Sequence, residues 1–355
     1  MIAMMTASVL AMTAMSSATA GAATRHARPS GPVAAAAPRK APDLVWVARA
    51  DSGPVAAYAA GSSGAVSPVR QVANPDNPST VWDPWGLAFD AAGSLYVQSF
   101  LSDATTFVFA PNLAAGAKPI RIFKADGPDN RGIAIDAEGF EYVAGGEASA
   151  IIGVERPKAN GQPGDLYNVV PLRQIQTGGA FDPWPSFLAS GLDDDVLAAV
   201  TLPQGNAVEV FKGGASGSGT ALRRIAGSRT DLGACSDSCD HLAIAFSPLT
   251  DELYVAVSSA TGATRICVFA GNARGNVAPL RVISGAHTGL EGQVITGIAA
   301  SQRTGDLYVM VKKSEFGDPG KIERFSGLAN SNAFPLSSFT DPQDDFADAM
   351  GIAVH

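Results

Sequence analysis

The segment WGLAFDAAGSLYVQS at residues 85–99 decides the fold of this chain. Its two halves, WGLAFD and SLYVQS, alternate apolar side chains as half-buried strands do, and a Gly-containing turn separates them. This pair of strands recurs along the chain, which predicts a repeat protein. Copies of the first strand stand at 85–90, 131–136, 186–191, 241–246, 296–301 and 350–355, and copies of the second at 43–48, 94–99, 140–145, 195–200, 252–257 and 306–311.

Two further motifs complete each repeat. An aromatic strand such as VEVFK at 208–212 follows the second strand, and a Pro-apolar-Arg motif such as Pro279-Leu280-Arg281 follows in turn. Four short strands in a unit of about 50 residues are typical of a propeller blade. Four of the six copies of the first strand carry Gly-Ile-Ala or Gly-Leu-Ala, which we call the Gly-Ile-Ala motif. We expect this strand of small and apolar residues to lie nearest the axis. Because Pro is tolerated on a sheet edge, we expect the Pro-apolar-Arg strand outermost, with its Arg in solvent.

The number and order of the repeats predict a closed ring. Six copies of each of the first two motifs indicate an all-β, six-bladed β-propeller with four-stranded antiparallel blades over residues 43–355. The series starts with a second strand at 43–48 and ends with a first strand at 350–355. We therefore expect the N-terminal strand to pair with the C-terminal strand in the last blade, which removes exposed sheet edges.

The segment before the repeats has a different composition. Residues 1–20 are small and apolar and end in Ala18-Thr19-Ala20, which predicts a secretion signal peptide and an extracytoplasmic protein. Residues 21–42 are rich in Ala and Pro, with four basic and no acidic side chains, which predicts a disordered linker. The net charge of −8 excludes general nucleic-acid binding, and the apolar run is short for a membrane span.

The repeats resemble those of the NHL-repeat group of six-bladed propellers. The resemblance is carried best by Gly86-Leu87-Ala88-Phe89-Asp90 with Leu95-Tyr96-Val97, and by Gly132-Ile133-Ala134-Ile135-Asp136 with Tyr142-Val143. It covers residues 43–355 and implies the propeller fold. That group includes lactonases, lyases and protein-binding modules, so the resemblance does not choose an activity.

The loops that enter the innermost strands are the candidate binding site, because they gather at one mouth of the central channel. Five of these loops carry Asp, the sixth carries Glu, and three of the four Trp residues lie in them. Acidic and aromatic side chains around one opening suit a cation, a cationic peptide or a sugar. The alternative is that each Asp caps a turn and the Asp-Pro-Trp units are structural wedges. The candidate ligand-binding residues are Trp82, Asp83, Trp85, Asp129, Asn130, Arg131, Asp182, Trp184, Asp240, His241 and Asp348.

Three functions follow from this mouth. The first is a secreted, monomeric, non-catalytic module that binds a protein or a small ligand, and the absence of a nucleophile elbow, P-loop or dinucleotide fingerprint favours it. The second is a metal-dependent hydrolase or lyase of the lactonase type, with Ca²⁺ or Zn²⁺ as cofactor. The third is glycan binding by Trp82, Trp85 and Trp184. The candidate metal ligands are Asp83, Asp129, Asn130, Asp182 and Asp240.

The three cysteines divide into a pair and a single residue. Because an exported chain meets an oxidising compartment, Cys235 and Cys239 are expected to form a local disulfide. Cys267 lies within the apolar strand ICVF and is expected to be a buried free thiol. A metal site formed by Cys235, Cys239 and His241 is the alternative interpretation of the pair. The Gly-rich stretch at 213–219 is expected to be a flexible turn.

Overall fold

The structure is a computed structural model of the whole chain. The predicted signal peptide at 1–20 and the predicted linker at 21–42 lie outside the residues that it describes. The described residues are 43–50, 53–72, 82–100, 105–114, 116–125, 130–145, 151–155, 166–169, 172–179, 188–217, 220–233, 241–258, 263–314, 317–343 and 346–355.

Short strands account for almost all of the regular structure in these residues, as the alternating motifs predict. Two single turns of 3-10 helix, Leu192–Asp194 and Ala286–Thr288, are the other regular elements. The strands are β1 Leu44–Arg49, β2 Val55–Ala59, β3 Gly64–Ala65, β4 Arg70–Val72, β5 Pro84–Phe89, β6 Leu95–Ser99, β7 Thr105–Phe109, β8 Arg121–Ala125, β9 Asn130–Ile135, β10 Glu141–Gly145, β11 Ile151–Glu155, β12 Leu166–Val169, β13 Arg173–Gln176, β14 Leu188–Ser190, β15 Val196–Leu202, β16 Gly205–Phe211, β17 Arg223–Ala226, β18 His241–Ser247, β19 Glu252–Ser258, β20 Arg265–Ala270, β21 Arg281–Ile283, β22 Val294–Ala300, β23 Leu307–Lys312, β24 Gly320–Phe325, β25 Ser337–Thr340 and β26 Ala349–Val354.

The described strands form six separate sheets, each built on four antiparallel strands. From the innermost strand outward they are β26-β1-β2-β4, β5-β6-β7-β8, β9-β10-β11-β13, β14-β15-β16-β17, β18-β19-β20-β21 and β22-β23-β24-β25. Strands β5, β9, β14, β18, β22 and β26 contact one another in that order, and β26 returns to β5. This arrangement confirms an all-β propeller with four-stranded antiparallel blades.

The ring closes between the two ends of the repeat series. Strand β1 pairs antiparallel with β26, so that Val45 lies opposite Val354. The Leu44 N–H donates to the carbonyl of His355 at 2.8 Å, and the His355 N–H donates back to Leu44 at 3.1 Å. The predicted closure by a C-terminal innermost strand is confirmed.

Glycine in the innermost strands lets neighbouring sheets approach at the axis. A Cβ atom at Gly351 would lie 2.1 Å from the carbonyl oxygen of Trp85, which belongs to the next innermost strand. A Cβ at Gly297 would lie 2.8 Å from a methyl carbon of Ile352. Distances this short leave no room for a larger residue, which explains the Gly-Ile-Ala motif. The second strands pack between sheets, and every residue of β6 and β19 is buried.

Two Arg residues of the Pro-apolar-Arg motif and its variant, Arg281 and Arg223, are mostly buried, contrary to the expectation that the motif places its Arg in solvent. The Arg281 side chain is 17% exposed and binds Glu252, with Nη1 2.6 Å from Oε1 and Nη2 2.9 Å from Oε2. The side chain of Arg223 is also 17% exposed and lies 3.9 Å from Asp195. These acids stand at or just before the start of the second strand, so each Arg ties the outer strand back across its own sheet.

Neighbouring sheets are also joined at the outer rim. Strand β12, which lies between β11 and β13 in sequence, pairs parallel with β8 of the preceding sheet, and β3 pairs parallel with β25. Isolated parallel β-bridges join three further pairs of neighbouring sheets, each from an outer strand to the connection between the third and fourth strands of the next sheet. They pair Ile175 with Gly217, Ile225 with Gly275 and Ile283 with Ser331. Within the predicted turn at 213–219, the Gly217 N–H donates to the carbonyl of Gln174 at 2.6 Å, which joins this turn to the preceding sheet, and its flexibility stays a prediction.

Candidate functional site

The six sheets have two ends, which we name by their connections. At the entry end, the chain enters each innermost strand. At the turn end, the first strand turns into the second and the third strand connects to the fourth. The sequence places the candidate site at the entry end.

Trp82 lies in the hydrophobic core at the entry end. Its side chain is 2% exposed, and the rings of Phe107 and Phe109 lie edge-on at centroid distances of 5.0 and 6.4 Å. Its indole N–H donates to the carbonyl of Gly53 at 2.8 Å. The polar atom and the apolar faces of this side chain are thus both satisfied inside the protein.

Trp85 and Asp83 are buried as well. The Trp85 ring is 7% exposed and stacks on Phe100 at a centroid distance of 4.2 Å. Asp83 is 5% exposed, its N–H donates to Ser99 Oγ at 2.9 Å, and its carbonyl accepts the Phe100 N–H at 2.9 Å. In this structure the first Asp-Pro-Trp unit packs as a wedge, which was the alternative interpretation of the motif.

Among the other predicted site residues, only His241 and Asp348 have described side chains. His241 starts β18 and is half-buried, and Asp348 is half-buried with its carbonyl accepting the Ala50 N–H at 2.9 Å. Asn130 and Arg131 start β9, where only the backbone is described. The other candidates fall outside the described residues, so their roles and the disulfide stay predictions. These are Asp129, Asp182, Trp184, Cys235, Cys239 and Asp240.

A metal site stays a prediction for the same reason. Within the described residues, no group of three or more His, Cys, Asp or Glu side chains is placed to hold a metal ion. Four of the five candidate ligands are either undescribed or described only in their backbone. The same described part of the chain contains no helix long and apolar enough to span a membrane.

Cys267 is a buried free thiol, as predicted. Burial and, to a lesser extent, the nearby Asp231 carboxylate raise the pKa of this thiol to about 12. The Sγ atom lies 3.5 Å from the carbonyl oxygen of Asp231, to which it donates. A thiol held in its protonated form is a poor nucleophile and a poor metal ligand, so Cys267 acts in packing.

Acidic residues at the turn end cap turns. Asp90 Oδ1 accepts the N–H groups of Ala92 at 3.0 Å and Ser94 at 2.8 Å. In the next sheet, Asp136 accepts the Phe140 N–H and the Tyr142 hydroxyl, each at 2.8 Å. Burial, together with this hydrogen bond, raises the pKa of Tyr142. These carboxylates are occupied by local hydrogen bonds, as expected for turn residues.

Two of the Arg–acid pairs at the turn end, Arg281–Glu252 and Arg223–Asp195, differ in strength. Burial opposes ionisation of Glu252, but the hydrogen bonds and charge of Arg281 outweigh it and hold the pKa of this carboxyl below its usual value. For Asp195, burial outweighs the more distant Arg223, and the pKa of the carboxyl is raised. Distance decides the difference, because Arg281 binds with two short hydrogen bonds and Arg223 stands at 3.9 Å.

A cavity of about 160 Å³ lies on the axis at the turn end. Residues from the C-terminal halves of the innermost strands line it, so that all six sheets contribute. Gln302, in the turn after β22, adds a polar side chain. The other lining residues are Leu87–Phe89, Ile133–Ile135, Leu188–Ser190, Ile244–Phe246, Ile298–Ala300 and Ile352–Val354.

Large apolar side chains are exposed only at the turn end in the residues that the structure describes. Five of them are the central residue of a Pro-apolar-Arg motif or its variant, at 56–60% exposure. The sequence carried this signal, an apolar residue in a polar outer motif, but it could not show that the side chain faces solvent. The exposed side chains are Val69, Leu172, Leu192, Leu222, Leu249, Leu280, Leu328, Phe334 and Leu336.

Comparison with known proteins leaves the family of this chain open. No protein-family model and no curated protein matches the sequence. The chain is similar to the crystal structure of a protein of unknown function from Bacteroides caccae, with 12% identity, a TM-score of 0.56, and 88% of this chain and 99% of that chain covered. A second structure, described as the Dos1 propeller, has 10% identity, a TM-score of 0.44, and coverage of 72% and 58%.

Membership of the NHL-repeat group therefore stays a prediction. At these identities, structural likeness carries the fold and no activity. The described strands and their order establish that the chain is a β-propeller.

Proposed function

We propose that this chain is a secreted, non-catalytic propeller that binds a partner protein at its turn end. The observation that carries the proposal is the placement of the exposed apolar side chains. All nine in the described residues lie in connections at that end. Single exposed apolar residues scattered over a surface are ordinary, whereas their concentration on one side is typical of interaction surfaces.

The repeat holds these side chains in fixed positions. The N–H of Leu222 donates to Val210 at 2.8 Å, and the N–H of Leu280 donates to Val268 at 2.7 Å. The same bond joins Leu336 to Arg324 at 2.6 Å. Because the backbone is tied to the third strand in each case, binding would order few additional groups. Such preorganisation lowers the entropic cost of association.

The neighbouring Arg residues are already satisfied and leave the apolar residue as the available contact. Besides Glu252, the Arg281 guanidinium donates to the carbonyl of Gly327 at 2.7 Å. Arg223 donates to the carbonyl of Ala273 at 3.1 Å. The motif therefore presents a Leu or Val side chain beside a neutralised Arg, a surface suited to an apolar partner patch.

The test is a triple substitution, Leu222→Ser, Leu280→Ser and Leu336→Ser, in adjacent sheets. Proteins captured from an extract of the source cells by the immobilised propeller are quantified by mass spectrometry. We expect at least one protein to be lost with the triple variant, because each buried Leu contributes about 1.5–3 kcal/mol. Calorimetry with that protein in purified form should then show direct binding that the triple variant lacks.

The matched control carries Gln204→Ser and Lys313→Ser, which change exposed residues at the entry end. This control should capture the same proteins as the unmodified chain. If no captured protein depends on the three Leu residues, or if the entry-end control loses the same proteins, the turn end is not the binding surface.

A further inference from the structure

The central cavity has a wall chemistry that the proposed protein-binding surface does not use. Each innermost strand pairs with one neighbour only in the part of the chain that the structure describes. Its other edge faces the axis. An unpaired strand edge presents backbone N–H and C=O groups in alternate residues. The axis is therefore bordered by the backbone polar groups of six strand edges.

Hydrogen bonds at the turns identify which residues face the axis. His355 is bonded to Leu44, so the preceding residue, Val354, directs its N–H and C=O away from β1. The backbone N–H of Ser301 donates to the carbonyl of Asp306 at 2.8 Å. The preceding residue, Ala300, accordingly directs its N–H and C=O to the axis. These are residues that line the cavity.

A side chain already uses one of these groups. Ser190 Oγ donates to the carbonyl of Ile135, in the neighbouring innermost strand, at 2.6 Å. This contact places the Ile135 carbonyl on the unpaired edge of β9, in agreement with the alternation. It also shows that a hydroxyl donor from outside the strand fits this edge.

The side chains of the cavity wall carry no charge. Apart from Ser190 and Gln302, the lining residues have Leu, Ile, Val, Ala or Phe side chains, and no Asp, Glu, Lys, Arg or His lines the cavity in the part of the chain that the structure describes. An ion would have to leave water without a partner of opposite charge, which is costly. A wholly apolar molecule would leave the backbone groups without hydrogen bonds.

We propose that the cavity binds a small neutral molecule with an apolar body and both a hydrogen-bond donor and an acceptor. The volume of about 160 Å³ sets its size, since cavities of about 150 Å³ hold a molecule as large as benzene. A neutral cyclic amide of about seven non-hydrogen atoms fits these conditions. Gln302, exposed at the rim, is placed to contact it from the solvent side.

The experiment uses the full chain and three probes of similar size: 2-piperidone, cyclohexane and protonated piperidine. Binding is measured by ligand-observed NMR titration. We expect 2-piperidone to bind about tenfold more tightly than either of the others, the loss that corresponds to one hydrogen bond. Equal or tighter binding of cyclohexane or the cation would overturn the proposed ligand class, and no binding of any probe would overturn the site.

The variant Ala300→Phe tests the location. Phe89 and Phe246 occupy the corresponding position in two other sheets, opposite Leu95 and Leu253 as Ala300 is opposite Leu307. The repeat therefore tolerates the larger side chain, which should fill the cavity and weaken 2-piperidone binding by more than about tenfold.

Ala300→Val is the milder variant, because Val354 holds the corresponding place in the sheet that closes the ring. Its affinity should fall between those of the unmodified chain and Ala300→Phe. Gln204→Phe, at an exposed position of the entry end, is the control and should bind as the unmodified chain does. Unchanged affinity in both Ala300 variants would place the probe elsewhere. Neither Ala300 variant alters the exposed Leu residues. The proposal of a ligand in the cavity and the proposal of a protein-binding surface are therefore tested independently.

Discussion

The two ends of the propeller use their side chains in opposite ways. At the entry end, the described aromatic residues Trp82 and Trp85 are buried and hold neighbouring segments together. At the turn end, polar side chains such as Asp136 and Arg281 are tied into hydrogen bonds, while Leu280 and its counterparts face solvent.

This contrast shows that the type of a residue does not tell whether its side chain is available to a ligand. Trp and Asp are common in binding sites, but a side chain whose partners are already inside the protein has little left to offer a ligand. A Leu held in solvent by its backbone has no such partner. Substitutions at the two ends should therefore differ in whether they damage folding or association.

Trp82→Ala should have the largest effect on stability. Removing a buried indole that packs on Phe107 and Phe109 should lower the free energy of unfolding by about 3–5 kcal/mol. Urea denaturation followed by circular dichroism measures this loss. A loss below about 1 kcal/mol would mean that Trp82 is free to serve a ligand, and the contrast between the ends would fail.

Gly351→Ala should have the second-largest effect on stability. Its added methyl group would meet the Trp85 carbonyl at 2.1 Å, which forces two innermost strands apart. We expect a cost of about 1–3 kcal/mol, as for overpacked cores. Thermal unfolding checks it, with Gly61→Ala, an exposed site with open space around its Cβ position, as a comparison for the cost of losing glycine.

Arg281→Gln should destabilise more than Arg223→Gln. The first removes two short hydrogen bonds to Glu252 and leaves a buried carboxylate, whereas the second removes a contact at 3.9 Å from Asp195. The difference in free energy of unfolding should be about 1–2 kcal/mol. Equal losses would show that the two pairs are equivalent and that distance does not decide their strength.

The same two acids predict opposite responses to pH. The pKa of Glu252 is lowered in the folded protein, so its stabilising contribution is present above its unfolded pKa of about 4.3 and is lost as pH falls through the folded pKa. The pKa of Asp195 is raised, so folding binds its proton more tightly and acid relieves a cost.

Stability measured between pH 3 and 7 separates these effects. The advantage of the unmodified chain over Glu252→Gln should shrink toward low pH. Relative to Asp195→Asn, the unmodified chain should gain stability as pH falls. The same slope for both variants would contradict the assigned pKa directions.

Leu280→Ser should have the smallest effect on folding. Its side chain is 59% exposed, and surface substitutions of this kind change stability by about 0.5 kcal/mol or less. A larger loss in urea denaturation would mean that this Leu supports the fold, and the turn end would then resemble the entry end.

The sequence predicted the propeller because strand alternation and repeat order are local signals. Val45 opposite Val354 was implied by the order of the motifs. The burial of the Asp-Pro-Trp unit was not implied by the sequence. Trp82 is buried by contacts with Phe107 and Gly53, which are distant in sequence. The partner of Arg281 was missed for the same reason, as Glu252 lies in another strand of the sheet.

The candidate site was predicted from residue types gathered at one end, and the described structure places two of its three Trp residues in the core. The cavity at the other end had no sequence signature, because backbone edges supply its polar groups. No residue type marks an unpaired backbone edge. The exposed Leu residues had a signal in their repeat position, but solvent exposure follows from how the connection leaves the sheet.

The pairing of Leu44 with His355 also bears on synthesis in the cell. Strand β1 is among the first parts of the propeller to be made, yet its inner neighbour β26 is the last. During translation, the inner edge of β1 has no partner from its own chain. Contacts between such distant positions slow folding and expose strand edges in the meantime. A chain that ends before β26 would form a ring with one open seam, which chaperones and proteases can distinguish from the closed ring.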